Sequence, residues 1–366
     1  MSTINRRYDI DWLRVIAIGL LLIYHVAIGF QPWGIMIGFI SNKDSWQSLW
    51  LPMTMLNVWR IPFLFFVSGM GVYFAMQHRS WKQLIQERSL RILLPYLFGM
   101  VCIFPVSVLI LQHYYKWKLD YSVNAGHLWF LGNIFVYVVL LSPVFYYLRE
   151  KEQGKFVSGL RKMLSHPLGL IPFVGLFIAE GLVLKPYPYE LYAMTWHGFA
   201  LGFLAFFSGF CFVLAGSTFW DMLVKWRWMF LAVAVGFFLA RTFVLGLKTP
   251  VYLLVVESDA WIFSVFAFGH KYLNKQSKAL TYLSEAAYPV YILHMIFLFL
   301  GSWLIFPLEM PAPLKFFSVL LFTFAGCFSS FEAIRRLTIL RPLFGMRMKH
   351  GTPGLKLDQA RGDVVI

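Results

Sequence analysis

Charge is what this 366-residue chain has least of: Asp, Glu, Lys and Arg make up 13% of it, against 59% hydrophobic residues. A soluble domain of this length carries roughly twice that charge on its surface, which excludes a water-exposed globule. Cysteine is nearly missing. Cys102, Cys211 and Cys327 are odd in number, lie in apolar runs and show no paired spacing, so neither a disulfide framework nor a thiolate metal site is expected, and no bound cofactor. The signatures of the common soluble enzymes are absent too: no Gly-rich phosphate loop, no H-E-x-x-H and no G-x-S-x-G elbow. There is no internal repeat of fixed period and no low-complexity block. The first apolar segment starts beside Tyr8, Asp9 and Asp11 and lacks a small-residue cleavage site, so it reads as a retained helix, not a removable signal peptide.

What the chain does have is long apolar runs. Ten are read, at about 11–31, 51–76, 92–112, 127–148, 168–185, 197–215, 228–247, 250–269, 284–305 and 314–334. They are continuous, not alternating, which points to an all-α polytopic membrane protein and away from a β-barrel. The 38 Phe and 14 Trp suit lipid-facing surfaces and interfacial belts. Lys248, Thr249 and Pro250 are read as a tight connection between the seventh and eighth spans. Basic residues crowd alternate loops: Arg6 and Arg7; Arg79 to Arg91; Arg149 to Lys162; Lys225 and Arg227; Lys271 to Lys278; and Arg335 to Arg361. This positive-inside pattern places both termini in the cytoplasm, and the even number of spans agrees. The net charge of +15 therefore reports orientation and not a nucleic-acid partner. One transmembrane domain is expected over 1–335. A basic tail over 336–366 is expected to lie against anionic lipid and to lose order toward its end.

Against this apolar background the ionisable residues stand out. Arg14 and His25 are eleven positions apart in the first span. Three helical turns put them on one face about 16 Å apart, the cation near the bilayer edge and the imidazole deep inside. That arrangement suits a ligand anionic at one end and reactive at the other. The blander alternative is a snorkelling Arg and a His bonded to a neighbouring helix. Arg88 and Arg91, three apart before the third span, would share one helical face as an anion clamp joined by Arg14 from the same leaflet. Ordinary positive-inside charge is the competing explanation. Arg60 lies inside the outer half of the second span, where an unpaired charge is costly. Ser68, Gly69 and Gly71 follow it, small residues of the kind that let backbones approach. His127 and Trp129 open the fourth span, as site residues or as part of an aromatic belt. In the ninth span Pro289 is expected to bend the helix, with His294 well inside. Glu180, Arg241 and Glu257 complete the embedded charges, Arg241 and Glu257 as a neutralising pair.

Taken in order, Arg14-x10-His25, FLFFVSG in the second span, Arg88-x-x-Arg91, HLWFL at the fourth span and AAYPVYILH in the ninth resemble the acyltransferase 3 family of membrane proteins, over roughly residues 9–300. Within it the sequence is similar to the branch that includes glucan-modifying succinyltransferase-like proteins. The resemblance implies transfer of an acyl group, acetyl or succinyl, from cytoplasmic acyl-CoA to a hydroxyl on an envelope glycan, a lipid-linked saccharide or another exported acceptor, in the inner membrane of a bacterium. By position it implies His25 as the central catalytic residue, Arg14 on the CoA side and Arg88 and Arg91 as the paired arginines. Arg60, Ser68, His127, Trp129, Glu257 and His294 are the further substrate-binding candidates.

The physical reading agrees. CoA phosphates held near Arg14, Arg88 and Arg91 would let the thioester arm run toward a neutral imidazole acting as general base or acyl relay. A rival from another class is a proton-coupled secondary transporter of a sugar-like solute, with a relay through His25, Arg60 and Glu257. No inverted-repeat hydropathy or paired broken helices support it. A non-catalytic scaffold has little reason to bury so many ionisable groups. Oligomeric state is left open, because lipid-facing and partner-facing apolar surfaces look alike.

Overall fold

The computed structural model describes residues 7–246 and 249–348, so Arg6, Lys248, Lys349, Lys356 and Arg361 lie outside the described residues. Ten helices are long and apolar enough to cross a membrane. They are α1 Tyr8–Ile28, α2 Gln47–Met76, α3 Trp81–Tyr114, α4 Gly126–Glu150, α5 Pro167–Leu184, α6 Trp196–Leu214, α7 Ser217–Leu245, α8 Val251–Leu273, α9 Lys278–Ile305 and α10 Ala312–Arg336. No strand occurs among the described residues, and the chain is a multi-pass, all-α membrane protein.

Each expected span is present, but three begin well before the apolar runs, by about six to eleven residues. α3 starts at Trp81 because Ser80 and Gln83 form a reciprocal cap: the Ser80 hydroxyl accepts from the Gln83 N–H at 3.4 Å and the Gln83 side chain accepts from the Ser80 N–H at 2.9 Å. α9 starts at Lys278, where Ser277 caps the Leu280 N–H at 3.0 Å. α7 starts at Ser217, so Lys225 and Arg227 lie within the helix and not in a loop.

The helix α1 is central, touching α2, α8, α9 and α10. α2 is almost wholly buried, whereas α5, α7 and α10 leave most of their apolar residues open to lipid. α2 and α6 meet backbone to backbone. A Cβ added at Gly69 would lie 1.9 Å from the Phe206 carbonyl oxygen, and one at Gly209 2.1 Å from that of Phe66. The packing role expected for Gly69 is therefore met, with Gly209 as its reciprocal.

α3 contains two wide π turns, Ser89–Leu93 and Gly99–Ile103. Each is followed by a proline, Pro95 and Pro105, which has no N–H to give to the carbonyl four residues back. The carbonyl freed at Val101 accepts from the Tyr121 hydroxyl at 2.6 Å. α9 by contrast runs through Pro289 as one helix. After α10, residues 337–348 fold back onto the bundle: Phe344 packs edge-on against Phe98, and Arg341 reaches Glu285 at 3.2 Å.

Substitution separates the close-packed glycines from the idle ones. Gly69→Ala and Gly209→Ala should each cost about 1–3 kcal/mol or more, because no backbone shift relieves both contacts. Gly175→Ala and Gly236→Ala, which meet nothing within 4 Å, should leave thermal unfolding in detergent unchanged. Equal melting temperatures for all four would contradict the packing.

Candidate active site

Two histidines from the first and ninth helices face each other across the bundle. His25 Nδ1 lies 2.8 Å from His294 Nε2, and the two rings are within 10° of parallel. The direction of the proton follows from what lies behind. His294 Nδ1 is 2.6 Å from the Tyr291 carbonyl oxygen, which can only accept, so Nδ1 carries the hydrogen and Nε2 of the neutral ring is an acceptor. His25 Nδ1 must then be the donor, which leaves the lone pair on His25 Nε2 unengaged within the pair. His294 is wholly buried, whereas His25 keeps part of its surface open. The arrangement is a backbone carbonyl, an orienting imidazole and an accessible imidazole whose second nitrogen is free to act as a base.

His127 closes a third side. Its ring stands edge-on to His294 at 5.0 Å, its Nε2 donates to the Ile292 carbonyl at 3.1 Å, and its own carbonyl accepts from the Tyr291 hydroxyl at 2.5 Å. Tyr291 thus ties the start of α4 to the turn that orients His294. From the other side Phe39, in the connection after α1, lies 5.7 Å from both His25 and Phe299. That connection is held by Lys315, whose ammonium donates to the Phe306 carbonyl at 2.8 Å and to Asn42 at 3.2 Å.

A narrow apolar slot lies beside this cluster and shares Tyr291 with it. Arg14, Ser68, Ile92, Phe130, Tyr288 and Tyr291 are among its walls, and it has room for about 40 Å³. Arg14 sits in the wall with one guanidinium nitrogen 3.0 Å from Asp11. Ser68 also lines the slot, although its hydroxyl donates to the Leu64 carbonyl at 2.7 Å. The π turn of α3 is what brings Ile92 into this wall.

Arg88 and Arg91 do not form the open two-armed clamp that helical spacing predicts. Arg88 ends a regular turn, and Arg91 lies on the π turn, whose wider winding breaks the shared face. Arg91 holds Glu87 at 3.2 Å and the Gly345 carbonyl at 3.4 Å. Arg88 is fully buried and none of its three guanidinium nitrogens has a hydrogen-bond partner. A buried cation with five unanswered donor hydrogens is the expected state of a group that meets an anionic ligand.

Arg60, whose partner is not visible in the sequence, lies flat on the Tyr24 ring at 3.7 Å, next in sequence to His25. Its Nε and Nη1 are buried and unpartnered, and it is within electrostatic reach of both His25 and His294. Trp129, in contrast, packs on Phe65 and Phe130. Glu257 takes two 2.7 Å bonds from Arg241, the neutralising pair expected from sequence. Glu180 pairs with His197 at 2.8 Å, a partner the sequence reading missed because only the fold brings α5 and α6 together. Burial holds the carboxyl of Glu190, in the loop before α6, above its ordinary range. Tyr291, Tyr288 and Phe130 were also missed, since aromatic residues in a membrane span carry no distinguishing signal.

The family model Acyl_transf_3, an acyltransferase domain, matches residues 7–332. The chain belongs to the acyltransferase 3 family. No curated protein and no solved structure matches it significantly. The matched stretch takes in all ten spans almost to the end of α10, and with them the histidine pair, the slot and Arg14, Arg60, Arg88 and Arg91. The protein is a membrane acyltransferase.

The Arg241–Glu257 pair has a stability signature of its own. Arg241→Ala leaves a buried carboxylate uncompensated and should destabilise by about 3–5 kcal/mol. The double variant Arg241→Met/Glu257→Gln should recover most of that loss in thermal melts, and a double variant as unstable as the single one would contradict a neutralising role.

Proposed function

We infer that this acyltransferase takes an acetyl or succinyl group from cytoplasmic acyl-CoA and passes it to a hydroxyl of an envelope glycan, lipid-linked saccharide or similar exported acceptor. One observation carries the reading: the hydrogen-bond direction of the histidine pair leaves a base on His25 Nε2, and Tyr291, whose carbonyl sets that direction, also lines an apolar slot with Arg14 in its wall. The arginine-rich face is the cytoplasmic one by the positive-inside pattern, so an anionic donor meets Arg88, Arg91 and Arg14 first. Its uncharged arm suits apolar walls. The slot is tight, so entry requires Phe130 and Tyr288 to turn aside.

At the far end the acceptor hydroxyl gives its proton to His25 Nε2 as its oxygen attacks the thioester carbonyl. His294 accepts the Nδ1 hydrogen bond throughout and so steadies the imidazolium that forms. The unpartnered N–H groups of Arg60 are the nearest fixed positive charge for the oxyanion. Collapse breaks the carbon–sulfur bond, and the imidazolium proton leaves with the CoA thiol. His127 and Tyr291 hold the pair in place, while Glu257 and Trp129 act through packing around it.

Labelled acetyl-CoA supplied to inside-out vesicles should yield free CoA and a labelled acceptor. His25→Ala should lower the rate by about 10²–10⁴-fold, and His294→Ala by a comparable factor. The double variant should be scarcely slower than either single one, because the two rings act as a unit. Wild-type turnover in a well-folded His25→Ala protein would refute the mechanism. Transport of the label without free CoA would favour a transporter.

A further inference from the structure

A second cavity lies on the face that carries the chain ends, a recess of about 450 Å³ between the α2–α3 connection and the end of α4. Its walls include His78, Arg79, Trp81, Tyr146, Arg149 and Glu150. The volume falls within the range of small-molecule sites, roughly 300–1,000 Å³. Trp81 is 57% exposed at its rim, with the Lys82 ammonium 5.8 Å from its ring. Arg79 is fixed by Glu87 at 3.0 Å and by the Ala75 carbonyl at 2.9 Å. Arg149 is fixed by the Met76 carbonyl and lies 5.2 Å from the Tyr146 ring. His78 is exposed beside them.

The recess adjoins the arginine cluster through Glu87, which pairs with Arg79 of the recess at 3.0 Å and with Arg91 at 3.2 Å. The Tyr146 hydroxyl donates to the Arg79 carbonyl at 2.8 Å, and its ring is within electrostatic reach of the enclosed Arg88. Arg88 in turn is within reach of Tyr288, which lines the slot. The buried Arg88 is thus within electrostatic reach of a wall residue of each cavity, Tyr146 of the recess and Tyr288 of the slot.

We propose that this recess seats the adenine nucleotide of the acyl donor: Trp81 stacks on the purine, Arg79, Arg149 and His78 face phosphate, and Arg88 meets the diphosphate where the arm turns into the slot. The proposal rests on the acyl-CoA reading above and names where and by what chemistry that donor is held. Glu150 is the one carboxylate of the wall. It would repel a bare anion, but it accepts hydrogen bonds from a ribose hydroxyl or an exocyclic amine, which a nucleotide has and inorganic phosphate lacks. An anionic lipid headgroup would also meet the surface cations. It would leave the enclosed Arg88 unanswered, and this favours a ligand with both a head and a long arm.

The test uses the full chain in nanodiscs, with CoA binding followed by calorimetry. Trp81→Ala should weaken CoA about tenfold, Trp81→Phe should restore most of the affinity, and Arg149→Gln should weaken it and flatten its salt dependence. On the unmodified protein, an 8-azido photoprobe of adenosine 3′,5′-bisphosphate should label the peptides containing residues 77–81 or 146–150. Wild-type affinity in both the Trp81→Ala and Arg149→Gln variants, or labelling elsewhere, would overturn the nucleotide seat while leaving the donor assignment intact. Arg149→Gln losing stabilisation by phosphatidylglycerol nanodiscs with CoA affinity unchanged would make the recess a lipid site instead. Wild-type protein that binds no CoA would overturn both readings.

Discussion

The proposed chemistry hangs on a hydrogen bond between two imidazoles inside a membrane domain, His25 and His294. Alone, either ring would be an apolar-phase histidine with an undecided tautomer. The Tyr291 carbonyl removes that freedom, because it accepts only and so assigns the proton on His294 Nδ1. The choice then passes along the 2.8 Å bond to His25 and leaves its Nε2 bare. The orienting partner is uncharged, so the domain buries no carboxylate to steady its base. Such a carboxylate would carry a desolvation penalty in this environment.

The surrounding fold reads as support for that bond. α1 supplies His25 and is packed by four other helices, which holds the ring in a defined place. α9 supplies both His294 and the carbonyl that orients it, three residues apart on one turn. His127 and the Tyr291 hydroxyl lock α4 to the same turn. Elsewhere in the domain Arg241 forms an ion pair with Glu257, and Glu180 lies within hydrogen-bond distance of His197. Among the described residues Arg60, within electrostatic reach of the histidines, and Arg88 keep buried N–H groups without a partner, and the buried Asp259 keeps an unpartnered carboxyl oxygen. Under the proposed function, unanswered guanidinium groups would serve a substrate that carries negative charge at one end and develops it at the other.

Much of this was legible in the chain. Ten apolar runs are enough to predict ten spans, and Arg14 and His25 are conspicuous because ionisable residues inside a span are rare. The Arg241–Glu257 pairing was also readable, since opposite charges on consecutive helices joined by a short loop are brought to similar depth. What remained hidden depends on distance in sequence. His294 is 269 positions from His25, and nothing local marks it as the partner rather than another embedded polar residue. The Arg88-x-x-Arg91 spacing misled because the helical rule assumes regular winding, and the π turn at Ser89–Leu93 changes it. Pro95 and Pro105 held a readable hint of that irregularity. The segment after Arg336 looked like a free basic tail by composition, yet residues up to 348 lie on the bundle through contacts such as Phe344 on Phe98.

Nitrogen-15 NMR of histidine-labelled protein in lipid bilayers reports the central bond directly, with the His25 resonances assigned by their loss in His25→Ala. A neutral His25 ring protonated on Nδ1, with an unprotonated Nε2 and a proton shared toward His294 Nε2, is the predicted result. A His25 ring that carries its proton on Nε2 would leave no free base there and would contradict the account.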